Sequence, residues 1–133
     1  MTVAMPVEMA AAMRAIRRLR VTKVGLLEAA LVDLVAAELD LDRIPYRREE
    51  RLAPRCRVDI AIPAASSGLL VGIEAKRGRP HGPSATAQVE RYAATGKLAG
   101  IVFLAERTMD LPAEIHGIPV ATISLQSAWG LAL

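Results

Sequence analysis

The sequence predicts an α/β fold, with helices flanking a mixed central β-sheet. Three observations carry this. Helix-period and strand-period segments alternate in the order helix, three strands, helix, strand, strand. Residues 100–105 are uninterruptedly apolar, as a central strand covered on both faces must be. Two further β-rich runs, 57–62 and 69–76, are joined by a turn-forming stretch at 63–68. The 133 residues suit one domain with a real core, preceded by a basic helical extension over 1–21.

Residues 6–19 are expected to form a first helix. Met9, Met13 and Ile16 fall on one face and Arg14, Arg17 and Arg18 on another. Thr22 suits the N-cap of a second helix reaching about Leu39, with an apolar stripe of Val24, Leu27, Leu31, Leu34 and Val35. Glu28 lies within that stripe, where a carboxylate is costly unless paired or bound to a cation. After a polar break at 40–42, residues 44–52 are too polar for a central strand, and Pro45 is tolerated at a sheet edge. Their charges protect that edge from aggregation. Gly and Pro mark 77–83 as a loop, which does not fit a phosphate-binding GxxxxGK[ST] pattern. Ser84 is expected to cap a helix ending before Gly96. A connector over 108–117 leads to a last strand at 118–125 and a tail around Trp129.

Composition narrows the function classes. A hydrophobic content of 53% points to apolar surface packed against another subunit, in a homodimer or higher homo-oligomer. Aromatics make up 3%, so base stacking on aromatic platforms does not dominate any nucleic-acid contact. A net charge of +3 and a pI near 9.5 favour a polyanionic partner. The positive charge sits early, at Arg14, Arg17, Arg18, Arg20 and Lys23, and again at Arg43, Arg47, Arg48, Arg51, Arg55 and Arg57. Cys56 is the only cysteine, which excludes an internal disulfide or a Cys-rich zinc site, and it is expected to be buried on the Val58 face. His81 and His116 lack ligand spacing, and a loop His81 is more often incidental than catalytic. No run spans a bilayer and no signal peptide is evident, so a soluble, cytoplasmic setting is expected.

The chemistry concentrates on the two adjacent strands. Period-two placement puts Val58, Ile60 and Ile62 on one face and Arg57, Asp59 and Ala61 on the other. In the next strand Leu69, Val71, Ile73 and Ala75 share a face, opposite Leu70, Gly72, Glu74 and Lys76. Glu74 and Lys76 thus project side by side from the end of an apolar strand, and hairpin pairing lets Asp59 reach the same side. Two carboxylates and an ammonium suit metal-assisted phosphodiester cleavage. Carboxylate oxygens hold a hard cation such as Mg²⁺ or Mn²⁺. The cation polarises phosphate and acidifies its water. Lys76 orients the attacking water or stabilises developing negative charge. Arg77 and Arg79, beside Lys76, are candidate phosphate contacts.

Asp59, then Glu74-Ala75-Lys76 on the next strand, then Gln88 and Tyr92 spaced as QxxxY on the following helix, resembles the PD-(D/E)xK nuclease superfamily, in its RecB-like branch. Val58 stands where the name-giving motif has Pro. The ending Leu111-Pro112, Gly117-Ile118-Pro119-Val120 and Trp129 resembles small phage-type nucleases of that superfamily, and a bacterial or phage origin is expected. The resemblance implies a restriction-endonuclease-like three-layer sandwich with an αβββαβ core. It implies a Mg²⁺- or Mn²⁺-dependent deoxyribonuclease of DNA repair, recombination or phage DNA processing. Asp59, Glu74 and a helix carboxylate would hold the metal, with the Ala75 carbonyl a further ligand. Glu28 is the chosen helix carboxylate, with Glu38, Asp33 and Glu50 as alternates. Lys76 would act on the water and Gln88 would support the site. Arg57, Arg77, Arg79 and Tyr92 would contact nucleic acid. Two alternatives stand beside this: a Holliday junction resolvase, which needs a dimer with two sites, and a non-catalytic nucleic-acid-binding protein on the same fold.

Overall fold

The computed structural model describes residues 4–21, 27–78, 82–107 and 109–125. The expectations for Thr22, Lys23, Val24, Arg79, His81 and Trp129 fall outside these residues. Among the described residues, three helices and six strands form an α/β fold around a mixed, open sheet. They follow the order α1 (Val7–Arg17), α2 (Glu28–Leu41), β1 (Arg47–Ala53), β2 (Cys56–Pro63), β3 (Leu70–Lys76), α3 (Gly82–Ala94), β4 (Leu98–Ala105), β5 (Glu114–Ile115) and β6 (Ile118–Ser124). The spatial order is β1-β2-β3-β4-β6-β5. β1, β2 and β3 pair antiparallel, β4 lies parallel to both β3 and β6, and β5 closes against β6 antiparallel.

Each face of the sheet is covered because its strands are apolar on both sides. Met9, Ala12, Ile16, Leu31, Val35 and Leu39 of α1 and α2 pack on Ile60, Ile62, Val71, Ile73, Val102 and Leu104. Val89, Tyr92 and Ala93 of α3 pack on Val58, Ala61, Leu98, Ile101 and Phe103. β4 contributes to both layers, as its continuous apolar run requires. Fully burying each large aliphatic side chain stabilises the fold by about 1.5–3 kcal/mol. Close packing of α1 is possible because Gly100 carries no side chain: a Cβ there would lie 2.7 Å from Met9 Sδ.

Several local expectations change. α1 ends at Arg17. The Arg18 guanidinium then ties α1 to α2 through Glu38 at 3.0 Å and Asp42 at 2.8 Å. The described part of α2 starts at Glu28, so Leu27 precedes the helix and is exposed instead of joining the stripe. Ser84 lies inside α3, two residues after its start. The polar edge strand is present as β1, with Arg48 reaching Asp33 of α2 at 2.7 Å. β5 was not expected. It is too short for periodicity to reveal, and it is made by His116 and Gly117, both at positive φ, as a two-residue type I′ hairpin demands.

The most consequential change is in β2. Val58 packs with α3, whereas Ile60 and Ile62 pack with α1 and α2. Strict alternation would keep all three together. The break is centred on Asp59. Its neighbour across β1, Glu49, sits at φ 50, and the β1–β2 pairing skips Glu49 and Asp59 while keeping its register on either side.

Candidate active site

The β2–β3 ladder pairs Ile60 with Ile73 and extends no further toward Asp59 and Glu74. Beyond that point side chains take over from the ladder. The Asp59 backbone N–H donates to Glu74 Oε1 at 3.2 Å, and the Ala75 N–H donates to Asp59 Oδ2 at 2.9 Å. Each carboxylate therefore accepts a main-chain hydrogen from the strand carrying the other. The side chains of the neighbouring Val58 and Ala75 pack into opposite core layers.

Glu74 is 4% exposed. Its Oε2 lies 3.4 Å from Lys76 Nζ and accepts a hydrogen bond from Gln88 Nε2 at 3.1 Å. The same amide nitrogen donates to the Tyr92 hydroxyl at 2.9 Å, using its second hydrogen, and Tyr92 donates to the Arg57 carbonyl at 2.9 Å. Gln88 and Tyr92 lie one turn apart on α3, so a single helix face supplies both. The result is a chain of hydrogen bonds from β2 through α3 back to β3.

Burial, reinforced by the charge of Asp59, pushes the Glu74 carboxyl up from 4.5 to about 7, against the pull of Lys76 and the Asp59 N–H. Burial also raises Asp59, opposed by the Ala75 N–H and Lys76 and assisted by the Glu28 charge. Burial and the negative charge of Glu74 raise the Tyr92 hydroxyl, which stays protonated as a donor. Lys76 alone answers the two carboxylates only while Glu74 keeps its proton; with both ionised the site carries excess negative charge.

Glu28 approaches from the start of α2. It is exposed, contrary to a core-facing place in the stripe, because the described helix begins at that residue. Its Oε2 accepts the Arg77 N–H at 3.2 Å, which joins α2 to the segment after Lys76. The alternates are engaged elsewhere: Glu38 by Arg18, Asp33 by Arg48, and Glu50 by Arg47 at 3.1 Å. Among the described residues no three His, Cys, Asp or Glu side chains are grouped to hold a metal ion. The dyad nonetheless offers the oxygens of a buried Glu74 and a half-buried Asp59, which fit a hard divalent cation once Glu74 gives up its proton. Arg57 and Arg77 are exposed beside this site.

Glu106 was overlooked. It is 6% exposed, and its Oε1 accepts the Gly78 N–H at 2.7 Å while the Arg107 N–H donates to the Gly78 carbonyl at 3.1 Å. These bonds fasten the chain leaving Lys76 to the end of β4. The available signal was an acidic residue directly after the apolar run of β4. A larger groove of about 530 Å³ lies at the other end of the strands, between the start of α1, the β2–β3 turn and the start of β4. It lacks the paired carboxylates and the ammonium.

No protein-family model, curated protein or solved structure matches this chain. Among the described residues no helix is long and apolar enough to cross a membrane.

Proposed function

We propose that this protein is a metal-dependent nuclease that hydrolyses phosphodiester bonds in DNA. The carrying observation is the interlocked pair Asp59–Glu74, with Lys76 Nζ 3.4 Å from the Glu74 carboxylate. In this reading the fold is a restriction-endonuclease-like sandwich. Its support is the order α2, three antiparallel strands, α3 and a parallel strand, with Asp59 on the second strand and Glu74-Ala75-Lys76 on the third.

Asp59 and Glu74 would hold Mg²⁺ or Mn²⁺, with the Ala75 carbonyl as a further oxygen. Bound there, such a cation supplies Lewis-acid polarisation of the phosphate and neutralises charge as it develops. The residues themselves do the rest. The Asp59 and Ala75 N–H groups fix the two carboxylates, so no reorganisation is needed on substrate binding. Gln88 orients Glu74 and leaves its Oε1 directed at Asp59. Lys76 places a positive charge beside the carboxylate that faces the reacting phosphate, where it can orient water and stabilise the transition state. Glu28 supports the site through the Arg77 N–H and its field at Asp59. Arg57 and Arg77 would border the path of the substrate backbone, whereas Tyr92, 3% exposed with its hydroxyl held by Gln88 and the Arg57 carbonyl, packs on the sheet instead of contacting nucleic acid.

The test is incubation with duplex, single-stranded, flap and four-way-junction DNA in Mg²⁺, Mn²⁺ or EDTA. Hydrolysis that needs the cation is expected. A second reading, a non-catalytic DNA-binding protein, has in its favour the lack of a three-ligand group among the described residues. DNA binding without hydrolysis of any form would establish it. Selective cutting of four-way junctions by a dimer would establish a resolvase.

A further inference from the structure

A cleft of about 400 Å³ opens at the β1–β2 turn, lined by Arg51, Arg55, Cys56 and Arg57. We propose that it is a second anchoring site, binding the phosphodiester backbone of the DNA strand a short way from the bond cut at Asp59 and Glu74. The proposal rests on the nuclease reading for its substrate class.

The charges in this cleft have little inside the molecule to answer them. Arg51 and Arg57 are direct cross-strand partners, so their side chains leave the sheet on the same side. Like charges in that relation repel, and a purely structural pair would place an acid at one position. Arg51 and Arg55 have no hydrogen-bond or ion-pair partner among the described residues. Arg57 has only Glu49 at 4.0 Å, with both side chains exposed. By contrast, Arg18, Arg47 and Arg48 each have a carboxylate within 3.1 Å.

The cleft is also rigidly placed. Arg55 holds φ 60 in a two-residue turn, a conformation uncommon for a long side chain, and this turn brings it over the opening. Arg57 precedes Asp59 by two residues on β2, or about 7 Å at a strand's rise. That is roughly two steps of a DNA strand at 3.4 Å of axial rise each. The Arg57 carbonyl accepts the Tyr92 hydroxyl, so a strand held at Arg57 is mechanically joined to Gln88 and Glu74. Planar guanidiniums recognise phosphate through paired hydrogen bonds, and several in a row suit a polymer of phosphates.

The experiment measures binding in EDTA with fluorescent DNA across roughly 50–200 mM salt. Arg51→Ala/Arg55→Ala is compared with Arg14→Ala/Arg17→Ala, which removes the same charge from exposed positions on α1. The cleft variant is expected to weaken binding on the order of tenfold and to lower the salt slope by about two, as loss of two phosphate contacts requires. The α1 variant should change little. Equal weakening in both variants or no DNA binding at all would overturn the proposal. Because these measurements exclude metal, failure to cleave DNA leaves them interpretable, and failure of the cleft can be seen with cleavage intact.

Discussion

Replacing Glu74 by Gln isolates the cost of charging the buried pair. Below pH 4.5 Glu74 is protonated whether the chain is folded or not. Between 4.5 and about 7 the folded protein keeps a proton that the unfolded chain releases. Stability from this group is therefore fully present below 4.5, falls as pH rises through that window, and is gone above about 7. A shift of this size corresponds to roughly 3 kcal/mol. For a chain of this length that is about 10 °C in melting temperature. Asp59 is raised too and adds to the same trend, so the proton losses belong to the pair. Glu74→Gln has no such proton, and Asp59 loses the neighbour that repels it. The amide also breaks the contact with Lys76 and can set an N–H₂ group against the Gln88 donor, at about 1–3 kcal/mol. That loss shifts the whole curve without tilting it, so the slope is the quantity to read. Urea unfolding at intervals from pH 5 to 8 should show wild type losing stability against the variant by roughly 3 kcal/mol. Saturating Mg²⁺ should flatten the wild-type curve, since a ligand at a hundred times its Kd contributes about 2.7 kcal/mol. Parallel curves for the two proteins would refute the reasoning.

Three further outcomes are expected. Asp59→Asn should abolish metal-dependent cleavage in a gel assay while DNA affinity in EDTA holds or rises, and Lys76→Ala should slow cleavage about 100-fold, the effect of losing one well-placed donor. Tyr92→Phe removes the 2.9 Å bond to the Arg57 carbonyl and an acceptor for Gln88. It should cost about 1–3 kcal/mol in urea unfolding. Gly100→Ala forces a Cβ toward Met9 Sδ and Pro119 Cγ, and should cost about 1–3 kcal/mol. A thermal-melt double-mutant cycle with Met9→Ala should show coupling of roughly 1 kcal/mol, whereas additivity would mean α1 moves freely.

Much of the sheet could be read directly from residue pattern. The polar run in β1 marks an edge, and the unbroken apolar run of β4 marks a strand covered on both sides. The meeting of Asp59, Glu74 and Lys76 was equally accessible, because a hairpin and a period of two suffice to bring them near. The way they meet was not. The change of face at Asp59 accompanies a left-handed Glu49, and an Arg-Glu-Glu-Arg sequence carries no Gly or Asn to announce it. Glu28 depends on where a helix begins, which a stripe of Leu and Val cannot fix to one residue. Glu106 acts through the Gly78 amide, and main-chain partners leave no trace in side-chain spacing.

Asp59 and Glu74 stand only 15 residues apart in the chain, joined by one hairpin. Other pairings at the centre of the sheet wait for the α3 crossover or the β4–β6 connection. Closing a short loop is the smaller entropic obstacle, so folding can bring these two acids together early. Their mutual repulsion is then felt on the way to the transition state, and pH should alter the rate of folding more than that of unfolding. A cation that neutralises the acids is expected to hasten assembly of the very strands that hold it.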